Sequence, residues 1–279
     1  MNERTLAKSI SFSGIGLHTG KPIYVDLQPA SIGTGIVFYK DNSVISAIYN
    51  NVRSTMMSTN IGVNGTTINT VEHLLSALWG LEIDNVRIHV KGEEIPIMDG
   101  SSRPFVDMIL HAGIEEQALP KNTIILKEIL ELKFGDKHIV VSPSSHFSVS
   151  AKIPFIHDSI SNQMFSYTQT PENYMSQIAP ARTFGFVNEI AMLNQKGLAL
   201  GASLDCAIGI DDDLGVVNER GLRWESEFVR HKILDIIGDF SLLGFPLQAT
   251  ITANKTGHRQ HIEMIKKIYE TKDAWELKF

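Results

Sequence analysis

Strand-like runs followed by helix-like runs, met twice along the 279 residues, constrain the fold of this chain more than any other feature. Residues 22–27 (PIYVDL), 35–39 and 85–90 (NVRIHV) are short, rich in β-formers and bounded by Gly, Asn and Asp, which predicts strands. Between them, residues 70–79 (TVEHLLSALW) carry Leu74, Leu75 and Leu78 at helical spacing, with Gly80 as a stop. A second helix is expected over about 103–112, and Pro120 with Lys121 and Asn122 marks a boundary. The order then recurs, with strands over 124–132, 138–142 and 147–153 and helices over 171–178, 187–196, 225–243 and 261–269. This predicts an α+β protein of two similar sheet-plus-helices domains, residues 1–120 and 121–279. No sequence-level repeat strong enough to prove duplication accompanies the pattern.

Composition removes several function classes. With 43% hydrophobic residues the chain can fill one large or two ordinary cores. A net charge of −6 carries no basic footprint for tracking phosphates, so nucleic acid is not an expected partner. The one cysteine, Cys206, rules out a disulfide within the chain and suits a reducing compartment. Residues 1–20 lack a basic-then-apolar signal pattern. No run reaches the ~18 apolar residues of a membrane span. A soluble, cytoplasmic protein is expected.

The chemistry concentrates in a few stretches. In residues 231–239 (HKILDIIGD), His231, Asp235 and Asp239 stand at i, i+4 and i+8, nearly one face of a helix, while Ile233, Leu234, Ile236 and Ile237 supply the buried face. An imidazole and a carboxylate one turn apart make a good start for zinc; they are equally an incidental pair on a solvated face. Glu72-His73 opens the leucine-bearing helix, so one side chain can ligate a metal while the other reaches a metal-bound water. Taken alone, that pair reads better as a first-turn carboxylate and a core histidine. HExxH is absent, because residue 77 is Ala77.

Residues 255–258 (KTGH) follow an apolar strand, and a histidine after a glycine in a turn can sit at a site rim. His258 can act there as a general acid, with Asp239 holding its other nitrogen; a surface-loop histidine is the plainer reading. Residues 14–20 (GIGLHTG), which include His18, form a glycine-rich turn that lets backbone approach a ligand or simply closes a hairpin. In residues 181–186 (ARTFGF), Thr183 can donate to a developing oxyanion or be an ordinary strand threonine.

Together these stretches resemble the UDP-3-O-acyl-N-acetylglucosamine deacetylase family over nearly the whole chain. The resemblance rests on SGIGLHTG (13–20), TVEHLLSAL (70–78), EIPIMDGSSRPF (94–105), ARTFGF (181–186), GASLDCAI (201–208), EFVRHKILDIIGD (227–239) and KTGH (255–258), in order. It implies two α+β domains packed helix against helix, with the active site between them. It also implies a zinc-dependent hydrolase of lipid A (lipopolysaccharide) synthesis, acting on an acylated UDP-amino sugar. By resemblance His73, His231 and Asp235 are the zinc ligands and Glu72 is the general base. His258 is the general acid or electrostatic partner oriented by Asp239, and Thr183 holds the carbonyl oxygen. Lys232 lies near the diphosphate, and His18 joins the substrate-binding residues. An insert over about 184–206 forms an apolar passage for the acyl chain, with Ile190, Leu200 and Leu204 as its walls, and Phe184 at its start is a further substrate-binding residue. No integral membrane segment is implied, and the sequence leaves the oligomeric state open, a monomer included. The chain departs from the family pattern at Ala202 and Asp158, away from the metal ligands. A zinc amidohydrolase for another acylated sugar or amino acid, and a non-catalytic ligand-binding relative, are the alternatives.

Overall fold

A computed structural model describes residues 1–154 and 162–278, so Asp158 lies outside the described residues. The fold is α+β. In the first half a five-stranded sheet runs in the spatial order Ile10–Ile15, Pro22–Pro29, Val86–Lys91, Ile36–Lys40, Ser43–Ser46. Period-two alternation buries Ile23, Val25 and Leu27 on one face and leaves Tyr24 on the other. Helices α1 (Glu72–Gly80) and α2 (Arg103–Ala112) belong to this half. The strand Asn2–Leu6 pairs antiparallel with Ile114–Pro120, after which the chain enters the second sheet.

The second sheet has seven strands around Leu247–Asn254, which pairs antiparallel with Lys137–Pro143 and parallel with Ser148–Ile153. Its Leu247, Ala249, Ile251 and Ala253 all point into the core. The short helices α3 (Pro171–Asn173) and α4 (Ile190–Gln195) precede the long α5 (Glu227–Phe240) and α6 (His258–Glu270). Helices α1 and α5 pack directly on each other, and Gly238 lies against the first turn of α1. A Cβ there would overlap the backbone carbonyl of Glu72. That glycine lets the helix bearing Glu72 and His73 lie against the helix bearing His231, Asp235 and Asp239.

Four expectations change in detail. The run 124–132 is two strands, Thr123–Leu126 and Leu130–Phe134, because Lys127 and Glu128 turn to give their N–H groups to Ala274 while the chain crosses from one part of the sheet to another. The helix over 171–178 widens after its first turn into a π-helical stretch, Tyr174–Ile178, where the Tyr174 ring packs at Gly80 and its hydroxyl donates to Ser76. The helix over 187–196 opens as a 3₁₀ turn, Val187–Glu189. His258 is the first residue of α6 rather than a turn residue, with Gly257 as its N-cap and Gln260 reaching back to the Gly257 N–H.

Candidate active site

The start of α1 is set by Thr70, a β-branched residue held at φ 56°. Its hydroxyl donates to Glu94 at 2.9 Å and its N–H to the side chain of Asn60 at 3.1 Å, and these bonds hold a conformation that is costly in isolation. The turn places Glu72 and His73 in the first turn of α1, both buried and facing α5. On α5 the buried Glu227 anchors the segment beside it. Its carboxylate accepts from the Arg182 guanidinium at 2.9 and 3.1 Å and from the Arg182 and Arg223 N–H groups. So fixed, the Ala181 carbonyl accepts a hydrogen bond from His231 Nδ1 at 3.0 Å.

That bond decides the tautomer. With its proton on Nδ1, His231 turns an Nε2 lone pair towards Asp235 Oδ1, 3.4 Å away, and His73 Nε2 lies 3.8 Å from the same oxygen. The ligand atoms of His73, His231 and Asp235 all fall within 4.8 Å of one another. Burial, then the nearby His231, pushes the His73 imidazole down to about 3, and burial also lowers His231. Burial opposes ionisation of Asp235, yet Lys232 and the imidazoles hold it well below the usual carboxylate range. Two neutral nitrogens and an anionic oxygen therefore converge at distances too long for hydrogen bonds. Lone pairs facing one another repel, and a cation between them is what relieves it. The donor set fits a divalent metal. Lys232 Nζ takes the other oxygen, Asp235 Oδ2, at 3.0 Å, leaving Oδ1 to the cluster.

Next to this group is an acid–base chain. Glu72 Oε1 lies 3.8 Å from His258 Nε2, and His258 Nδ1 donates to Asp239 Oδ2 at 2.8 Å. Burial raises Glu72 to about 8, against the pull of His258. Burial would lower His258, but the Asp239 carboxylate and then Glu72 push it up to about 10. Asp239, His258 and His261 also lie close enough to hold an ion, but here both imidazoles give an Nδ1–H to the carboxylate.

Of the remaining sequence-derived residues, Thr183 precedes the strand Phe184–Phe186, two residues from Ala181. Its N–H donates to the Gly100 carbonyl at 2.8 Å. Phe184 stacks edge-on against Phe228 and His231, and Lys232 lies 5.2 Å over its ring. His18 is buried; its N–H donates to Glu94 at 3.0 Å, its carbonyl accepts from Leu200 and its Nδ1 from the Ala199 N–H. Ile190 opens α4. Leu200 and Leu204 are 52% and 49% exposed and lie outside the core; Leu204 and Val187 flank Gly209.

Sequence reading missed Thr59, His261, Arg182 and Glu227. Thr59 carries no motif signal; its N–H donates to Glu72 Oε2 at 3.1 Å and its hydroxyl to Asp239 Oδ1 at 2.5 Å. For His261 the helical spacing from His258 was available. Arg182 and Glu227 lie inside recognised stretches, but their pairing spans 45 residues.

An α+β scaffold that sets a His–His–Asp cluster able to hold a metal beside a buried Glu–His–Asp chain is the kind of arrangement that metal-dependent hydrolases use. The chain belongs to the UDP-3-O-acyl N-acetylglycosamine deacetylase family, whose model matches residues 3–270. It is 44% identical over 279 residues to the UDP-3-O-acyl-N-acetylglucosamine deacetylase of Geotalea uraniireducens, covering 99% of this chain and 91% of that protein. The protein of the same name from Acidithiobacillus ferrooxidans is 44% identical over 282 residues, with 99% and 92% covered. That of Campylobacter hominis is 46% identical over 260 residues, with 92% and 88% covered. No helix among the described residues is long and apolar enough to cross a membrane.

Proposed function

We propose that this chain hydrolyses the N-acetyl group of UDP-3-O-acyl-N-acetylglucosamine, releasing acetate and the free amine, an early committed step of lipid A synthesis in the cytoplasm. The observation that carries the reading is the convergence of His73, His231 and Asp235 next to Glu72 and His258. Zinc suits the three donors. Two ligands at about 2.1 Å on a tetrahedral ion stand about 3.4 Å apart, close to the 3.4 and 3.8 Å separations from Asp235 Oδ1. When bound, zinc would polarise the acetyl carbonyl and acidify water.

The chain's own residues do the rest. Glu72 is placed to take a proton from the attacking water; burial raises it to about 8, and a divalent ion, when bound, would favour its ionised form. The Thr183 hydroxyl donates to the oxygen that gains negative charge. His258, kept protonated by Asp239, gives its proton to the sugar nitrogen as the C–N bond breaks. Lys232, whose side chain is 30% exposed, has further N–H groups for the diphosphate. His18, Phe184, Ile190, Leu200 and Leu204 face the acylated sugar, the last three along the chain's passage. In this reading the chain divides near residue 120 into two domains, with the site where α1 meets α5.

Acetate release from N-acetylated UDP-glucosamine, with and without a 3-O-acyl chain, tests the reading. Release from the acylated compound alone supports it. Equal release from both indicates an amidohydrolase without an acyl passage, and binding without release a non-catalytic relative.

A further inference from the structure

The Asp239 carboxylate is fully buried and receives three donors from two separate parts of the chain, two from α6 and one from the loop before the strand Asn60–Val63. Oδ2 accepts from His258 Nδ1 at 2.8 Å and from His261 Nδ1 at 2.7 Å, and Oδ1 accepts the Thr59 hydroxyl proton at 2.5 Å. An ionised carboxylate has no proton to return, so the direction of each bond is fixed. The two imidazoles differ in what their far nitrogens meet. His258 Nε2 faces Glu72, while His261 Nε2 accepts from Thr256 Oγ1 at 2.9 Å.

Thr59 does more than fill a lone pair. It lies before the strand Asn60–Val63, fully buried, and reaches α5 across 180 residues of chain. Its N–H donates to Glu72 Oε2 at 3.1 Å, and its carbonyl accepts from Val71 at the start of α1. One residue therefore touches both the proposed base and the carboxylate behind the proposed acid.

We propose that Thr59 and His261 are positioning residues for the reaction: they lock the Asp239 carboxylate, Thr59 also ties it to Glu72, and the pair thereby fixes where His258 holds its proton. The proposal rests on the role given to His258 above. Without the Thr59 hydroxyl, Oδ1 is left buried and unsatisfied, and the carboxylate is free to turn towards the remaining donors. His258 then loses its alignment with Glu72, although no group that touches substrate has changed.

The test measures kcat and KM per folded, zinc-loaded molecule, with zinc content and thermal midpoint alongside. Thr59→Val is expected to lower kcat by ~10–100-fold, the usual effect of removing a partner behind a reacting group, with KM and zinc content unchanged. Thr59→Ser, which keeps the hydroxyl, should recover most of the rate. His261→Leu and His261→Asn form the parallel pair, Asn keeping an N–H for Asp239, and they carry the test if Thr59→Val fails to fold. In a His258→Gln background Thr59→Val should cost little more, because it acts through His258. Normal kcat in Thr59→Val, a Thr59→Ser enzyme as slow as Thr59→Val, or full additivity with His258→Gln overturns the proposal. A slow His258→Gln with a normal Thr59→Val removes the positioning role alone. Wild-type turnover in His258→Gln removes the acid role and the positioning role together.

Discussion

Two carboxylates of one site, Glu72 and Asp239, are driven to opposite ends of the acidity scale by their surroundings. Both are buried, which favours the neutral form. Glu72 has His258 as its cationic neighbour at 3.8 Å and rises to about 8. Asp239 takes hydrogen bonds from two imidazoles and falls to about 2 against that burial. Glu72→Gln keeps the shape but cannot accept a proton, so turnover is expected to drop by about 10²–10⁴ with metal content unchanged. A variant with full metal and near-normal turnover would remove Glu72 from the mechanism. Asp239 makes a different prediction. Its folded pKa lies below its ordinary 3.8, so the stability it contributes is present above that value and is lost as pH falls through about 2. The stability gap between wild type and Asp239→Asn should therefore narrow as pH is lowered from 4 to 2. A gap that stays constant in denaturant titrations over this range would mean that Asp239 is not ionised with these partners.

Among the elements, α5 carries the most. Its apolar residues Ile233, Leu234, Ile236 and Ile237 fill the core, Gly238 admits α1, and Glu227 at its first turn fixes the segment that supplies Ala181. The Arg182–Glu227 pair is almost wholly enclosed, with side-chain exposures of 10% and 0%. Breaking such a pair leaves the Glu227 charge buried with backbone N–H donors but no opposite charge. Arg182→Met is accordingly expected to lose about 3–5 kcal/mol, whereas replacing both residues by apolar ones should recover a large part. Denaturant midpoints of the single and double variants check this; a double variant no better than the single would show that the pair's geometry matters more than its charge. Loss of the pair should also loosen the Ala181 carbonyl and so the tautomer of His231.

For the whole molecule, the cluster joins parts of the chain that are distant in sequence. His73 comes from α1 and His231 and Asp235 from α5, so a bound ion would tie the two helices in the folded state only. At free zinc a hundred times its dissociation constant, the added stability is about 2.7 kcal/mol. Chelation should then lower the thermal midpoint as well as the activity, and zinc should restore both. His231→Ala should show the low midpoint with or without zinc; full zinc content in that variant would remove the assignment of the cluster.

Sequence alone determined the α+β class, because strand and helix periodicities are local and survive without knowledge of neighbours. It also brought His231, Asp235 and Asp239 onto one helical face, since their spacing is a multiple of the helical turn, and it placed Glu72 beside His73. The fine breaks in the strand 124–132 and the π-helical stretch at Tyr174–Ile178 were not legible, because each follows from a contact with a distant partner, Ala274 or Gly80. The same is true of the site. Thr59 bears no motif, and Ala181, Arg182 and Glu227 lie in motifs that do not show their pairing; all acquire their roles only when chain segments 45 to 180 residues apart meet. What only tertiary structure decided is which nitrogen of each histidine carries its proton and which carboxylate stays ionised, because burial and hydrogen-bond partners set those states and neither is a property of the residue itself.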